Sequence, residues 1–149
     1  MPGIYAPADT LISPIITELA TILDQQIGGV NRIYNLPPAG PPDDMSVIIL
    51  LNHGKNSTAT IGRLRQTLTF VVMQFMRFND LSAAYTTAYS YIPSYLQAFE
   101  AWGAQRLNNK SIEVNVRDYG VAQRPYAGQP YLILGFTIDV VAEIPTPTT

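Results

Sequence analysis

The stretch Tyr131-Leu132-Ile133-Leu134-Gly135-Phe136-Thr137-Ile138-Asp139-Val140-Val141-Ala142-Glu143-Ile144 decides how the chain folds. Leu132, Leu134, Phe136, Ile138, Val140, Ala142 and Ile144 alternate with Tyr131, Ile133, Gly135, Thr137, Asp139, Val141 and Glu143. A period of two belongs to an extended strand, and the more apolar set marks the face turned to a core. Just upstream, Ile112, Val114 and Val116 alternate with Glu113, Asn115 and Arg117 in the same way, so a second strand precedes it. The segment between, Tyr119-Gly120-Val121-Ala122-Gln123-Arg124-Pro125-Tyr126-Ala127-Gly128-Gln129-Pro130, reads as a connection too long for a tight turn and rich in contact-making residues.

Further upstream, residues 64–78 form a third long alternation, with Arg65, Thr67, Thr69, Val71, Met73, Phe75 and Arg77 on one side. Residues 45–52 hold Val47-Ile48-Ile49-Leu50-Leu51, apolar on both faces, as in a strand covered on both sides. Residues 30–36 predict a short strand carried by Val30, Ile33 and Tyr34. Pro37-Pro38-Ala39-Gly40-Pro41-Pro42-Asp43-Asp44 is a stiff loop, because proline cannot donate to a ladder. His53-Gly54-Lys55-Asn56-Ser57-Thr58-Ala59-Thr60 reads as a polar, turn-rich connection.

Two segments carry helical spacing instead. Ile12, Ile15, Ile16, Leu19, Ile22, Leu23 and Ile27 make one apolar stripe over 11–27, with Asp9 or Thr10 as cap, Pro14 in the first turn and Gly28-Gly29 as the stop. Leu81, Ala84, Tyr85, Ala88, Tyr91, Ile92, Tyr95, Leu96, Phe99 and Trp102 make another over 81–102, capped by Asn79-Asp80. Pro93 is expected to kink or divide it. The first nine residues read as an extended arm and 145–149 as a flexible tail. The order is helix, strand, strand, strand, helix, strand, strand. It predicts one α+β domain over 1–149, a small mostly antiparallel sheet with the two main helices packed on one face.

Charged residues are only 13% of the 149, against roughly 25% for an average domain, while 47% are hydrophobic. A surface with few charges exposes amides, hydroxyls and apolar patches, which partners often cover. The net charge of -2 and scattered basic residues argue against a dedicated nucleic-acid binder. The absence of cysteine removes disulfides, thiolate metal sites and cysteine nucleophiles together. Neither a signal peptide nor a run of the ~20 apolar residues that cross a bilayer is read, so the chain is expected to be made and folded in the cytosol, with no membrane partner.

Candidate chemistry is thin. His53 is the sole histidine, so a zinc site would need carboxylates at distances the sequence does not fix, and Ser57 or Thr58 beside it is a turn composition and not a triad. Gly54-Lys55-Asn56-Ser57 resembles part of a phosphate loop, but Ile49 holds the place of the leading glycine. Asp43-Asp44 supplies too few oxygens for a hard cation and reads as a solvated turn. Glu113, Asp139 and Glu143 form a polar stripe if their strands pair. No catalytic, metal or cofactor residue is assigned. Tyr91, Tyr95 and Tyr85 belong to the core stripe of the second helix; Tyr89 lies off it, and tyrosine is enriched where surfaces meet.

With the helix at 11–27, strands at 30–36, 45–52 and 64–78, the helix at 81–102 and the hairpin at 111–144, the chain resembles the tail terminator and tail-completion proteins of long-tailed bacteriophages. The resemblance is one of size, order and texture over nearly the whole chain, without a diagnostic motif. It implies a virion protein assembled in the host cytoplasm. Its subunits form a ring, usually a hexamer, seated on the last tail-tube ring and joined to the head–tail connector. DNA only passes through the channel, and there are no catalytic residues to carry over. Tyr89, Tyr119, Arg124 and Tyr126 are the candidate interface residues on that reading. The alternatives are a neck or head-completion subunit and, from a different class, a small-ligand-binding or enzymatic α+β domain.

Overall fold

The computed structural model describes residues 11–60, 63–109, 113–126 and 128–145. Seven elements follow one another: α1 (Ile12–Gln26), β1 (Arg32–Tyr34), β2 (Ser46–Thr60), β3 (Arg63–Arg77), α2 (Leu81–Asn109), β4 (Glu113–Tyr126) and β5 (Gln129–Pro145). The five strands form one sheet in the order β1-β2-β3-β5-β4. Every neighbouring pair is antiparallel except β1 and β2, which run parallel over three residues. The architecture is α+β with a mixed, mostly antiparallel sheet, in the order of elements that the sequence predicts.

The alternation at 131–144 makes β5 the centre of the sheet. It pairs with β3 from Arg63↔Pro145 to Arg77↔Tyr131 without interruption. This register puts Leu132, Leu134, Phe136, Ile138, Val140 and Ala142 on one face beside Leu68, Phe70, Val72 and Met76 of β3, all buried. The α1 stripe of Ile15, Ile16, Leu19, Ile22 and Leu23 and α2 residues Ala88, Tyr95, Ala98 and Phe99 close over that face. Burying each large apolar side chain contributes roughly 1.5–3 kcal/mol, so these stripes and not local propensity hold the helices. Within this layer Tyr95 Oη donates to Gln74 Oε1 at 2.6 Å, and burial pushes the Tyr95 phenol well above its ordinary pKa.

The other face has a smaller cover. Ile48, Phe75 and Tyr131 are buried there, with Tyr34, Leu50, Met73 and Ile133 packed around them. The proline loop is fastened to this cluster: Tyr131 Oη donates to the Pro42 carbonyl at 2.7 Å, and Asp44 Oδ1 accepts the Arg77 N–H at 2.8 Å. The expectation that the β2 centre is covered on both faces therefore holds at Val47, Ile48 and Ile49, whereas Leu50 and Leu51 are half-buried.

Four sequence expectations need correction. The polar run beginning at His53 is not a connection but the second half of β2, paired to β3 through Thr60↔Arg63, with a bulge between Leu51 and His53. The segment 119–130 is not a loop: β4 continues to Tyr126, and Pro125↔Pro130 and Tyr126↔Gln129 close a tight turn with Gly128 at φ 79°. The prolines are tolerated because Pro125 lies on an edge strand and Pro130 lies one residue beyond the last β3 pair. Of the kink or division expected at Pro93, the division is absent: α2 continues through it, with Tyr91, Ile92, Tyr95 and Leu96 packed on the core on either side. Leu81, expected on the core stripe, is exposed at the start of that helix.

The cap of α2 and the stop of α1 follow their expected chemistry. Asp80 Oδ1 accepts the N–H groups of Ser82 and Ala83, capping α2. After α1 the Ile27 N–H returns to the Leu23 carbonyl at 2.9 Å, and Gly29 takes φ 78°, with the Tyr91 hydroxyl where a β-carbon would stand. The start of α1 differs from expectation: Leu11, and not Asp9 or Thr10, occupies the N-cap position, with no side-chain hydrogen bond to cap it. The arm at 1–9, the caps Asp9 and Thr10 and the tail at 146–149 lie outside the described residues, as do Ile112 and the side chains of Trp102 and Ile144.

Phe136 packs against three rings, with centroids at 4.8 Å from Tyr95, 5.1 Å from Phe99 and 5.7 Å from Tyr119. Phe136→Ala is expected to cost about 3–5 kcal/mol in urea unfolding, as truncation of a buried aromatic does. A loss below about 1 kcal/mol contradicts this account of the core.

Candidate functional site

The outermost long strand of the sheet is β4. On one side it pairs with β5 over its whole length; on the other, among the described residues, no strand meets it. An edge of that kind presents a row of backbone N–H and C=O groups to solvent. Val114 is the sole buried side chain along it, and beyond Val116 nearly every residue is exposed.

Strand alternation distributes the predicted interface residues over this edge. Tyr119 lies opposite Phe136 on the helix-covered face and stacks on that ring at 29°, with 51% of its surface exposed. Arg124 lies opposite Tyr131 on the other face. Tyr126 joins it there, edge-on to Phe75 at 6.0 Å and to Tyr131 at 6.4 Å, and is 37% exposed. The structure thus brings Arg124 and Tyr126 together and sets Tyr119 on the opposite face of the same strand. Tyr89 is on α2, 59% exposed, with its ring 5.9 Å from Tyr85.

The opposite side of the sheet has a second open edge that sequence reasoning missed. β1 covers β2 only at Ser46, Val47 and Ile48. From 49 to 60 the outer side of β2 meets no strand among the described residues. Beside this edge runs a groove between α1 and β2, lined by Ile12, Ile16, Leu36, Ile49 and Leu51. Leu36 stands on its rim with 76% of its surface exposed. The one sequence signal was the length of the apolar run 47–51, which outreaches a three-residue partner strand.

Asp139 and Glu143, two of the acidic residues singled out from sequence, have structural partners. Asp139 Oδ1 accepts from Thr69 Oγ1 at 2.7 Å, and its Oδ2 from Arg117 Nε at 3.1 Å. Glu143 pairs with Arg65 at 3.1 Å across the β3–β5 ladder. Glu113 is exposed at the start of β4. The expected polar stripe exists, and both carboxylates that the ladder brings near arginines serve as acceptors. Asp43 and Asp44 are more than a solvated turn: the Asp43 carbonyl accepts from Ser46 Oγ at 2.6 Å, and Asp44 holds the end of β3. His53 is exposed on β2, opposite Thr69 in the ladder. Gly54, Lys55 and Asn56 are extended strand, so no phosphate-cradling turn forms there. Among the described residues, no group of three or more His, Asp or Glu is arranged to hold a metal ion. No helix among them is long and apolar enough to cross a membrane.

Tyr119 and Tyr126 rest on buried rings, whereas Tyr89 meets the half-buried ring of Tyr85, and this separates the three tyrosines energetically. Tyr119→Ala and Tyr126→Ala are each expected to lower unfolding free energy by about 0.5–1.5 kcal/mol or more, the scale of an aromatic pair. Tyr89→Ala should stay within about 0.5 kcal/mol of the parent. Thermal and urea melts of the three variants check the order.

No protein-family model and no curated protein matches the chain. Among solved structures the chain is similar to one from the "Virion of native gene transfer agent (GTA) particle", with a TM-score of 0.46 and 13% sequence identity over 93% of this chain and 100% of that one. A likeness at that level assigns neither fold nor function.

Proposed function

We propose that the chain is a structural subunit of a phage-like virion that works by assembly and not by catalysis, forming a ring that ends the tail tube and joins it to the head–tail connector. The observation that carries this reading is the pair of long edges that no strand meets among the described residues, β4 on one side of the sheet and β2 beyond Ile48 on the other. Single domains commonly blunt or cover such edges. Here they are long, and exposed aromatic residues sit on one while an apolar groove flanks the other. Two different surfaces on opposite sides of one subunit are what a closed ring requires, since a head-to-tail contact uses unlike patches.

The order and size of the elements agree with the tail-terminator resemblance drawn from the sequence, including the long final hairpin. The low charge content and net charge of -2 suit a channel through which DNA passes without being held, because clustered basic residues would bind phosphates. The open edges support the reading; a TM-score of 0.46 does not.

The test is the solution mass by light scattering, alone and with tail-tube protein. A hexamer-sized species, or a ring that appears on addition of the tube, is the expected result. A monomer indifferent to tube protein that instead binds the portal side moves the protein to the neck, and a monomer that binds neither contradicts the assembly reading.

A further inference from the structure

The strand directions constrain how two copies can meet. Steps from β2 to β3, from β3 to β5 and from β5 to β4 are all antiparallel, so β2 and β4 run in opposite senses at the two sides of the sheet. A head-to-tail repeat that continues the sheet preserves strand direction from copy to copy. The β4 edge of one copy therefore meets the β2 edge of the next as an antiparallel pair, and the up-and-down pattern continues unbroken.

The faces agree as well. The groove beside β2 lies under α1, on the helix-covered face, where Ile49 and Leu51 point. Tyr119 of β4 lies on that same face, with one side of its ring on Phe136 and half of its surface open. On the other face, Lys55 of β2 stands opposite Thr67, and Glu113 of β4 stands opposite Val141. Thr67 and Val141 are themselves paired, so Lys55 and Glu113 belong to one face of the sheet. With Tyr119 beside Leu51, the antiparallel run sets Asn115 opposite Lys55 and Glu113 two residues further on, so Glu113 and Lys55 are diagonal neighbours of opposite charge on that face.

We infer that β4 of one copy adds, antiparallel, to the open edge of β2 of the next, with Tyr119 seated in the groove between α1 and β2. This interface deepens the ring reading and rests on it. Main-chain hydrogen bonds supply the adhesion, and the Tyr119 pocket sets the register, as in strand addition generally. Bulges lie in both edges, between Leu51 and His53 in β2 and between Val116 and Asp118 in β4. Bulges raise local twist, which bends a continuing sheet toward closure and away from flat, unlimited growth. The competing arrangement, β4 against β4 about a twofold axis, leaves the β2 edge and its groove uncovered.

The chain contains no cysteine, so introduced cysteines report without background. Asn52→Cys and Asp118→Cys, both at exposed positions, are prepared separately, mixed, and treated with a short bismaleimide, with tail-tube protein present if assembly needs it. The mixture is expected to give a covalent dimer that neither variant gives alone, and the double variant a ladder ending at the ring. Leu36→Asp, at a position whose exposure spares the fold, is expected to weaken self-association at least about tenfold, as loss of an interface anchor does. Cross-linking of Asp118→Cys with itself shows the twofold arrangement and overturns the inference. An oligomer by light scattering that yields no mixed cross-link overturns the interface and leaves the ring reading standing. A monomer under every condition overturns both.

Discussion

The pairing of β5 with β3 is the constraint on which the rest of the chain depends. Because side chains alternate at every residue, this register alone decides which face receives Leu132, Leu134, Phe136, Ile138 and Val140. A slip by one residue would turn all of them away from the helices and expose the set that now buries Tyr95 and Phe99. With the register fixed, the polar pairs fall into place on the reverse face: Arg65 beside Glu143, and Asp139 between Thr69 and Arg117. Those partly exposed pairs contribute little stability each, on the order of 0–1 kcal/mol. Their effect is to make the correct register the one in which charges are matched.

That central pairing also determines where the sheet stops. β5 has strands on both sides, whereas the chain supplies only three residues of β1 to cover β2 and nothing beyond β4 among the described residues. The helices spend their apolar stripes on one face, and the proline loop covers part of the other through Tyr131 and Arg77. Among the described residues no element is left for the edges. The described residues thus close a core and leave backbone hydrogen-bonding groups open at both edges of the sheet, the condition in which association through strands gains most.

Much of this was legible from residue spacing. The apolar alternations at 131–144 and 64–78 and the helical stripe at 11–27 correspond to β5, β3 and α1 because each buries one face, and burial on one face is what writes a period into sequence. The errors have the same origin. From Arg117 to Tyr126, β4 is exposed on both faces, so no period is written and Pro125 looks like a breaker. In the outer half of β2, residues 52–56 are exposed in the same way and read as a polar turn. Tyr119, Arg124 and Tyr126 were identifiable as contact-making types, but their division between two faces depends on the strand that the sequence concealed. The groove under α1 was not legible at all, since Ile12, Leu36 and Leu51 converge only once the sheet has formed.

Amide hydrogen exchange across β4 tests the central claim most directly, because it reads the unpaired backbone itself. Exchange at 113–121 and in the outer half of β2 is compared in the free chain and in the assembled state. The account predicts fast exchange at outward-facing amides of both edges in the free chain and marked slowing of both on assembly. Assembly that leaves both edges exchanging as they do in the free chain would contradict it.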